Sequence, residues 1–279
     1  MESNLNLIDN QTMPKLHQDN KEFNWSVPDG PYSFLSESQV NSFNQDGYLV
    51  IEDALSKETV KNVIDQIDPF EFNVTEALRG LDEGKFFISR AEEITFTTHL
   101  VTQSEYLKKF SAEEVFTNLC KDLIGNDVRL YWDQAVYKKP GTKDEFPWHQ
   151  DNGYTFIEPQ AYLTCWIALT DTDETNGCPW VVPELHQMGT LHHQATDLGY
   201  KIDLDDSDAV CLPLKAGSIA VFSSLTPHRT GPNMSRNIRK SYILQYAPDG
   251  SERKISHSLS EPVNDESRQF LILKDGERT

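Results

Sequence analysis

The tetrapeptide HQDN occurs twice in the sequence, at residues 17–20 and 149–152. In an extended chain, residues two apart project to the same face, so a histidine and an aspartate with this spacing can be adjacent ligands of a metal ion. The spacing alone is weak, because 8 histidines in a 279-residue chain with 44 acidic residues give about one such pair by chance. The surroundings of each copy must therefore decide which one forms a site.

The two copies lie in different surroundings. The second belongs to the aromatic, extended-looking segment FPWHQDNGYTF, where His149 and Asp151 would project into one space. The first lies in residues 1–33, a polar, Asn-rich segment broken by prolines and without sustained periodicity. A metal ligand needs a rigid mount, and this segment predicts none, so the second copy is the better candidate.

Two ligands hold a metal poorly, so a third must come from the remaining histidines: His17, His99, His186, His192, His193, His228 and His257. Among them, His228 closes the run AGSIAVFSSLTPH, which predicts a turn at Gly217 followed by a buried strand. A single histidine at a strand end more often has a structural partner. The assignment of His228 as a ligand therefore depends on the residues around it.

Arg239 begins the strand-like run RKSYILQYAP, and a turn-rich segment separates it from His228. If residues 218–228 and 239–247 pair as antiparallel neighbours, Arg239 faces the same cavity as His228. Its guanidinium offers a fork that matches a carboxylate in a way that lysine does not. By itself, this residue would be an ordinary surface arginine.

Two histidines and one carboxylate form the facial triad of non-haem Fe(II) oxygenases, which leaves three coordination positions open. Open positions matter because a bidentate 2-oxo acid and O2 must both reach the iron. In this arrangement Arg239 would hold the far carboxylate of the 2-oxo acid.

The elements that would position these residues change character along the chain. Helices are predicted in the first half: one with a capping box from Ser36 to Gln39 that ends near Gly47, one that begins after Ser56, and one that opens with a capping box from Ser111 to Glu114 and stops at Gly125. From about residue 128 the pattern becomes short strands separated by turn residues, namely VRLYWDQAVYKK, AYLTCWIALTD, VCLPL, SIAVFSS and RKSYILQYAP. Short strands without intervening helices indicate an all-β sandwich or barrel.

Composition excludes several kinds of partner. A formal charge of -19 repels phosphate backbones and anionic lipid, so neither nucleic acid nor a membrane is an expected partner. The four cysteines show no C-x-x-C spacing, no apolar run has membrane length, and neither terminus carries a recognisable address. These features predict a cytoplasmic protein.

The ordered set of motifs resembles the phytanoyl-CoA dioxygenase family. It consists of H-x-D at residues 149–151, the run YLTCWIALTDTDETNGCPWVVPELH, then GSIAVFSSLTPHRTGPN and the later arginine, and the resemblance covers about residues 36–250. It implies an Fe(II)- and 2-oxoglutarate-dependent dioxygenase on a double-stranded β-helix, the jelly-roll or cupin-like barrel, mainly β with flanking helices. Residues 1–33 would be an arm or lid and residues 34–279 a single oxygenase domain, with the barrel core at about 128–250.

Carried over by position, the resemblance places the iron ligands on His149, Asp151 and His228, and the 2-oxoglutarate arginine on Arg239. Other positions of the cosubstrate pocket fall on Thr230, Gln134 and Trp166. PELH replaces the family's more usual P-G-S-H, so His186 receives only a structural role. Halogenases of this family lack the carboxylate ligand, and Asp151 therefore favours hydroxylation or another oxidation over chlorination. The cosubstrates would be 2-oxoglutarate and O2, and the substrate a small molecule.

Two other functions use the same residues. A metal-dependent hydrolase would bind zinc and water at the same triad, and a non-catalytic jelly roll would keep the triad as structure. Aromatic residues near the ligands either line an apolar or cation-binding pocket or belong to the core: Trp132, Tyr137, Trp148, Tyr154 and Phe156. Substrate identity and oligomeric state are left open by the sequence.

Overall fold

The computed structural model describes residues 14–160, 162–256 and 258–279. Residues 1–13 of the predicted arm, and His257 among the candidate histidines, lie outside the described residues. These described residues form four α-helices: α1 (Glu37–Asp46), α2 (Lys57–Arg79), α3 (Glu105–Phe110) and α4 (Glu114–Leu123). Within the described ranges, no helix is both long enough and apolar enough to span a membrane.

Nineteen strands are present in the described part of the chain: β1 (Tyr48–Ile51), β2 (Lys85–Phe86), β3 (Ser89–Arg90), β4 (Ile94–Thr98), β5 (Val128–Lys138), β6 (Phe146–His149), β7 (Ile157–Glu158), β8 (Leu163–Ala168), β9 (Pro179–Val181), β10 (Gln194–Thr196), β11 (Gly199–Lys201), β12 (Val210–Cys211), β13 (Ile219–Ser223), β14 (His228–Thr230), β15 (Arg239–Pro248), β16 (Glu252–Ser256), β17 (Leu259–Pro262), β18 (Leu271–Lys274) and β19 (Glu277–Arg278).

Two antiparallel sheets build the barrel. The large sheet runs β1-β13-β8-β15-β5-β4-β3-β2, with β18 and β19 beside one end of β5, and the small sheet runs β12-β9-β14-β6. Shorter pairings, β17-β16-β7 and β10-β11, extend the rims. This is the mainly β jelly roll with flanking helices that the sequence predicts.

The large sheet is buried on both faces, which explains why its strands are apolar without a clear alternation. One face packs against helices, where Val63 and Phe116 join a core with Cys165 and Leu244. The other face turns toward the small sheet, where Trp166 and its neighbours form a second core. The second face therefore bounds the interior of the barrel.

Two of the predicted helix starts are confirmed and one is wrong. Ser36 forms the capping box with Gln39, and Ser56 caps α2. Ser111 instead ends α3, where its hydroxyl donates to the carbonyl of Lys108, and α4 begins after Glu113 without a side-chain cap. The serine serves the preceding helix because a hydroxyl can bond to a nearby carbonyl as readily as to the next helix's N–H groups.

The predicted pairing of residues 218–228 with 239–247 is also wrong. Strand β8 lies between β13 and β15 and pairs with both. After β13 the chain turns and crosses to the small sheet, so His228 begins β14, not the end of β13. Arg239 and His228 therefore line one cavity from two different sheets and do not lie on adjacent strands.

The described part of the N-terminal segment lies against the barrel. Leu16 bridges to Leu191, and the N–H of His17 donates to the carbonyl of Thr190 at 2.9 Å. The Asn20 side chain is 9% exposed and donates to the carbonyls of Met188 and Thr190. Residues 16–20 therefore pack against the loop at residues 188–191.

Candidate metal centre and cosubstrate pocket

His149 and His228 are direct partners in the small sheet. His149 ends β6, His228 begins β14, and the two residues oppose each other in the antiparallel pair. Opposed residues in such a pair project to the same face, which brings the two ring centroids to 4.1 Å. Asp151 opens the short 3-10 helix that follows β6.

The three side chains converge on one point. Asp151 Oδ1 lies 3.9 Å from His149 Nε2 and 3.7 Å from His228 Nε2, and one ligand atom from each residue falls within 4.8 Å of the others. No other group of three or more such side chains was found among the described residues. The spacing is that of three ligands around a single ion.

Each imidazole is held by its other nitrogen. His149 Nδ1–H donates to the carbonyl of Pro147 at 2.8 Å, and His228 Nδ1–H donates to the carbonyl of Thr226 at 3.0 Å. These bonds fix the tautomer, so both Nε2 lone pairs point into the cavity. The local backbone therefore presets the two ligand atoms.

Burial sets the charge of the site. It lowers the pKa of His149 to about 3, with the neighbouring His228 as the next cause, and lowers the pKa of His228 to about 4. Burial also raises the pKa of Asp151. Neutral imidazole is the form that binds a metal, and a bound cation would favour the ionised form of the carboxyl group.

Asp151 is oriented by a chain of polar side chains. The Thr164 hydroxyl donates to Asp151 Oδ2 at 2.6 Å, and the Gln245 amide donates to Thr164 Oγ1 at 3.3 Å. These contacts leave Oδ1 facing the two histidines. Neither Thr164 nor Gln245 was singled out by the sequence, although both share a strand face with a pocket residue by the period-two rule.

Arg239 is buried without a counter-charge. Its side chain is 1% exposed, and burial lowers the pKa of its guanidinium to about 10. Nη1 donates to Ser241 Oγ at 2.6 Å, whereas Nε and Nη2 have no hydrogen-bond partner in the described structure. The guanidinium carbon lies 5.2 Å from the centre of a Trp166 ring. A buried cation with free donors calls for an anion.

One cavity contains the triad, Arg239 and the three further pocket residues that the sequence indicated. Gln134, Trp166 and Thr230 all line it. Gln134 and Trp166 both oppose Ile243 of β15, so the three form one row across the large sheet. The remaining lining residues are Ile94, Phe96, Val136, Phe146, Thr164, Phe222 and Ile243.

The other sequence candidates lie outside this lining. Tyr137 packs in the core on the helix side of the sheet, and Trp148 stacks on Arg229. His186 packs edge-on against Trp25. Tyr154 is nearest, with its ring 5.4 Å from that of His149, whereas Phe156 stacks on His17 and Trp132 lines a neighbouring cavity.

A jelly roll with a His-x-Asp and distal His triad is the architecture of non-haem iron oxygenases. The sequence pattern of the family described as Phytanoyl-CoA dioxygenase (PhyH) matches residues 43–241, more than half of the chain. The chain belongs to this family, and it is an enzyme, an iron- and 2-oxoglutarate-dependent oxygenase.

Individual relatives agree with this placement. A phytanoyl-CoA dioxygenase of Arabidopsis thaliana is 25% identical over an alignment of 248 residues, and the match covers 75% of this chain and 88% of the relative. A methylphosphonate hydroxylase of Gimesia maris is 26% identical over 216 residues, 76% of this chain and 80% of the relative. The crystal structure of the non-haem, 2-oxoglutarate-dependent carbocyclase SnoK superimposes with a TM-score of 0.69 at 21% identity, covering 87% of this chain and 99% of that one, and shows the shared fold.

Proposed function

We propose that His149, Asp151 and His228 hold Fe(II), and that the enzyme hydroxylates or otherwise oxidises a small molecule with release of succinate and CO2. Arg239 binds the far carboxylate of 2-oxoglutarate, assisted by the Thr230 hydroxyl. Gln134 and Trp166 shape the wall against which the cosubstrate lies. The buried, unpaired guanidinium of Arg239 beside the triad is the observation that carries this proposal.

The donor set fits Fe(II). Two neutral imidazoles and one carboxylate leave open positions for a bidentate 2-oxo acid and O2. Bound iron supplies the oxidising chemistry, and the chain positions the reactants and excludes water. Asp151 occupies the place that must be vacant for a halide ligand, which favours hydroxylation over chlorination.

The same arginine separates this function from its two rivals. A hydrolase would need only the triad and a water molecule, and a structural triad would need no anion at all. Neither accounts for a cation that is buried in the wall of the metal cavity with two nitrogens, Nε and Nη2, lacking a hydrogen-bond partner. The 2-oxoglutarate carboxylate satisfies those donors and neutralises the charge.

The remaining assignments are coarser. Relatives carry names as different as phytanoyl-CoA dioxygenase and methylphosphonate hydroxylase, so a small-molecule substrate is proposed without a single compound. The charge of -19 supports our proposal that neither nucleic acid nor a membrane is a partner. The four free cysteines support a cytoplasmic location, and we propose residues 34–279 as the oxygenase domain with the preceding segment as its arm.

To test this proposal, Fe(II) and 2-oxoglutarate are added to the apoprotein under anaerobic conditions. The weak visible charge-transfer band of their chelate is then measured. We expect a band in the wild type and a much higher 2-oxoglutarate requirement in Arg239→Ala. Arg236→Ala, at an exposed position between β14 and β15, is the matched control and should behave as the wild type. Iron or zinc binding without any band would overturn the proposal and favour the hydrolase.

A further inference from the structure

A second cavity, of about 240 Å³, lies beside the metal cavity. It is lined by β5, by the segment after the 3-10 helix of Asp151, and by the region between β16 and β18. Its lining residues are Tyr131, Trp132, Thr155, Arg253, Glu261, Pro262, Val263, Asn264, Asp265, Arg268 and Gln269. The proposed function gives this space no role.

A β-bulge shapes the wall of this cavity. In the pairing of β5 with β15, Gln245 opposes Trp132 and Tyr246 opposes Leu130, so Tyr131 is an extra residue. In a regular strand Tyr131 and Trp132 would face opposite sides, but here both line the cavity. Bulges re-aim side chains in this way next to functional sites.

Side chains connect the two cavities. Trp132 Nε1 donates to Gln134 Oε1 at 3.2 Å, and Gln134 lines the metal cavity. On the other wall, Thr155 follows Tyr154, whose ring lies 5.4 Å from that of the metal-site residue His149. The bonded pair of Trp132 and Gln134 therefore joins the wall of the second cavity to the wall of the metal cavity.

The cavity wall carries two arginines, Arg253 and Arg268, and each is paired with one carboxylate of the same wall. Arg253 Nη2 bonds to Glu261 at 2.7 Å, and Arg268 Nε bonds to Asp265 at 3.0 Å. Each contact engages one donor of a group that has five. Neither terminal nitrogen of Arg268 has a hydrogen-bond partner in the described structure, and the side chain is 29% exposed, so both nitrogens can donate to a ligand.

We propose that this second cavity binds an anionic group of the substrate, a carboxylate or a phosphonate, through Arg268 and Arg253. Trp132 and Tyr131 contact the adjoining carbon chain, and the carbon to be oxidised lies toward the triad past Gln134. The substrate class is then a small oxyanion. This inference rests on the proposed function, because it takes the triad as the reacting centre.

The test uses butyrate and ethylphosphonate as probes, each titrated into the anaerobic Fe(II)–2-oxoglutarate enzyme at constant ionic strength. Trp fluorescence reports occupancy of the second cavity, and the charge-transfer band reports the iron site. We expect Arg268→Gln to weaken binding of the preferred probe about 10-fold or more without changing the 2-oxoglutarate requirement. Preference between the two probes assigns the anion as carboxylate or phosphonate.

For a second variant we expect the opposite effect on probe affinity. Glu261→Gln removes the carboxylate that competes for Arg253, and we expect it to tighten probe binding about two- to fivefold. Arg278→Gln, at an exposed residue that does not line this cavity, should leave binding unchanged. A purely structural Arg268 would not produce these opposed changes in binding.

Failure of this inference is distinguishable from failure of the proposed function. An intact band with no probe binding at millimolar concentration, or with equal binding in wild type and Arg268→Gln, overturns the substrate inference and leaves the oxygenase. Absence of the band in the wild type overturns the proposed function itself. Probe binding that depends on Arg268 would then still support an oxyanion site.

Discussion

The two HQDN segments have the same letters and different structural roles. In the second, residues 149–152, the histidine and the aspartate converge with His228 at one end of the small sheet. In the first, residues 17–20, the histidine stacks on Phe156 with ring centroids 4.9 Å apart, and the asparagine is the buried anchor. The two copies have the same residue types. They differ because only the second follows a strand and lies opposite another histidine, His228.

Both copies nevertheless form hydrogen bonds with the same loop, residues 188–191. Asn20 donates to the carbonyls of Met188 and Thr190, and Gln150 donates to the carbonyl of Gly189 at 3.0 Å. The N–H of Leu191 returns a bond to Gln150 Oε1 at 2.6 Å. Asn20 of the first copy and Gln150 of the second copy therefore both stabilise the loop at residues 188–191.

The largest expected difference between the copies is at the aspartates. Asp151→Ala removes a proposed iron ligand, and we expect 2-oxoglutarate turnover to fall at least about 100-fold, since loss of supporting contacts alone costs about 10- to 100-fold. Asp19→Ala should retain turnover. Succinate release measures both, and thermal melts establish that both variants are folded. Equal loss in the two variants would contradict the assignment.

The second copy also differs from the first because its histidine and aspartate share a cavity with Arg239, which is distant in sequence. Arg239→Lys keeps the charge but loses the fork, and we expect the KM for 2-oxoglutarate to rise about 10- to 100-fold, because hydrogen bonds to charged groups contribute about 1.5–3 kcal/mol. Iron affinity should be unchanged. Arg236→Lys is the control, and an unaltered KM in Arg239→Lys would remove Arg239 from the cosubstrate site.

A smaller effect is expected from the hydroxyl that orients Asp151. Thr164→Val removes the 2.6 Å bond to Oδ2, and we expect iron affinity to fall about 10-fold. Thr190→Val is the matched control, because the Thr190 hydroxyl accepts from the Asn152 side chain and has no bond to the triad. Iron titration of the apoproteins compares them, and identical affinities would show that Thr164 only packs.

The smallest expected effect is at the first copy. Asn20→Ala removes the two bonds that Asn20 donates and the acceptor of a third, from Gln160, and we expect a loss of about 1–3 kcal/mol in the free energy of unfolding, seen as a Tm lower by a few degrees. Turnover per folded molecule should be retained. An activity change with iron still bound would instead indicate that the N-terminal segment acts as a lid, which truncation of residues 1–30 would expose.

Much of the large sheet was predictable. The runs VRLYWDQAVYKK and RKSYILQYAP give β5 and β15 almost to the residue, because long apolar runs bounded by turn residues leave few alternatives. Strand β14 has only three residues, and its place in the small sheet depends on β6 and β9. Short strands carry too little local pattern to reveal their partners.

The residues of the candidate site could be predicted as a set, but their arrangement could not. The motif order brought together the triad and Arg239, which line one cavity, while the pairing expected to join His228 and Arg239 was wrong because β8 lies between β13 and β15. Period-two spacing places Thr164 and Gln245 on strand faces of the pocket, but their bonds run between segments that are distant in sequence and so cannot be predicted from one strand. The extra residue Tyr131 in β5 has no sequence signal either, since its neighbours are equally apolar.

The direct pairing of His149 with His228 has a consequence for folding. The two strands are separated in sequence by everything from β7 to β13, so their association closes a long loop at an entropic cost. An ion bound by both residues binds the folded chain and not the unfolded one, and stabilises this closure by mass action. Metal removal should therefore speed amide hydrogen exchange first in β6 and β14, because an ion at the proposed site would also hold these two strands of the small sheet together.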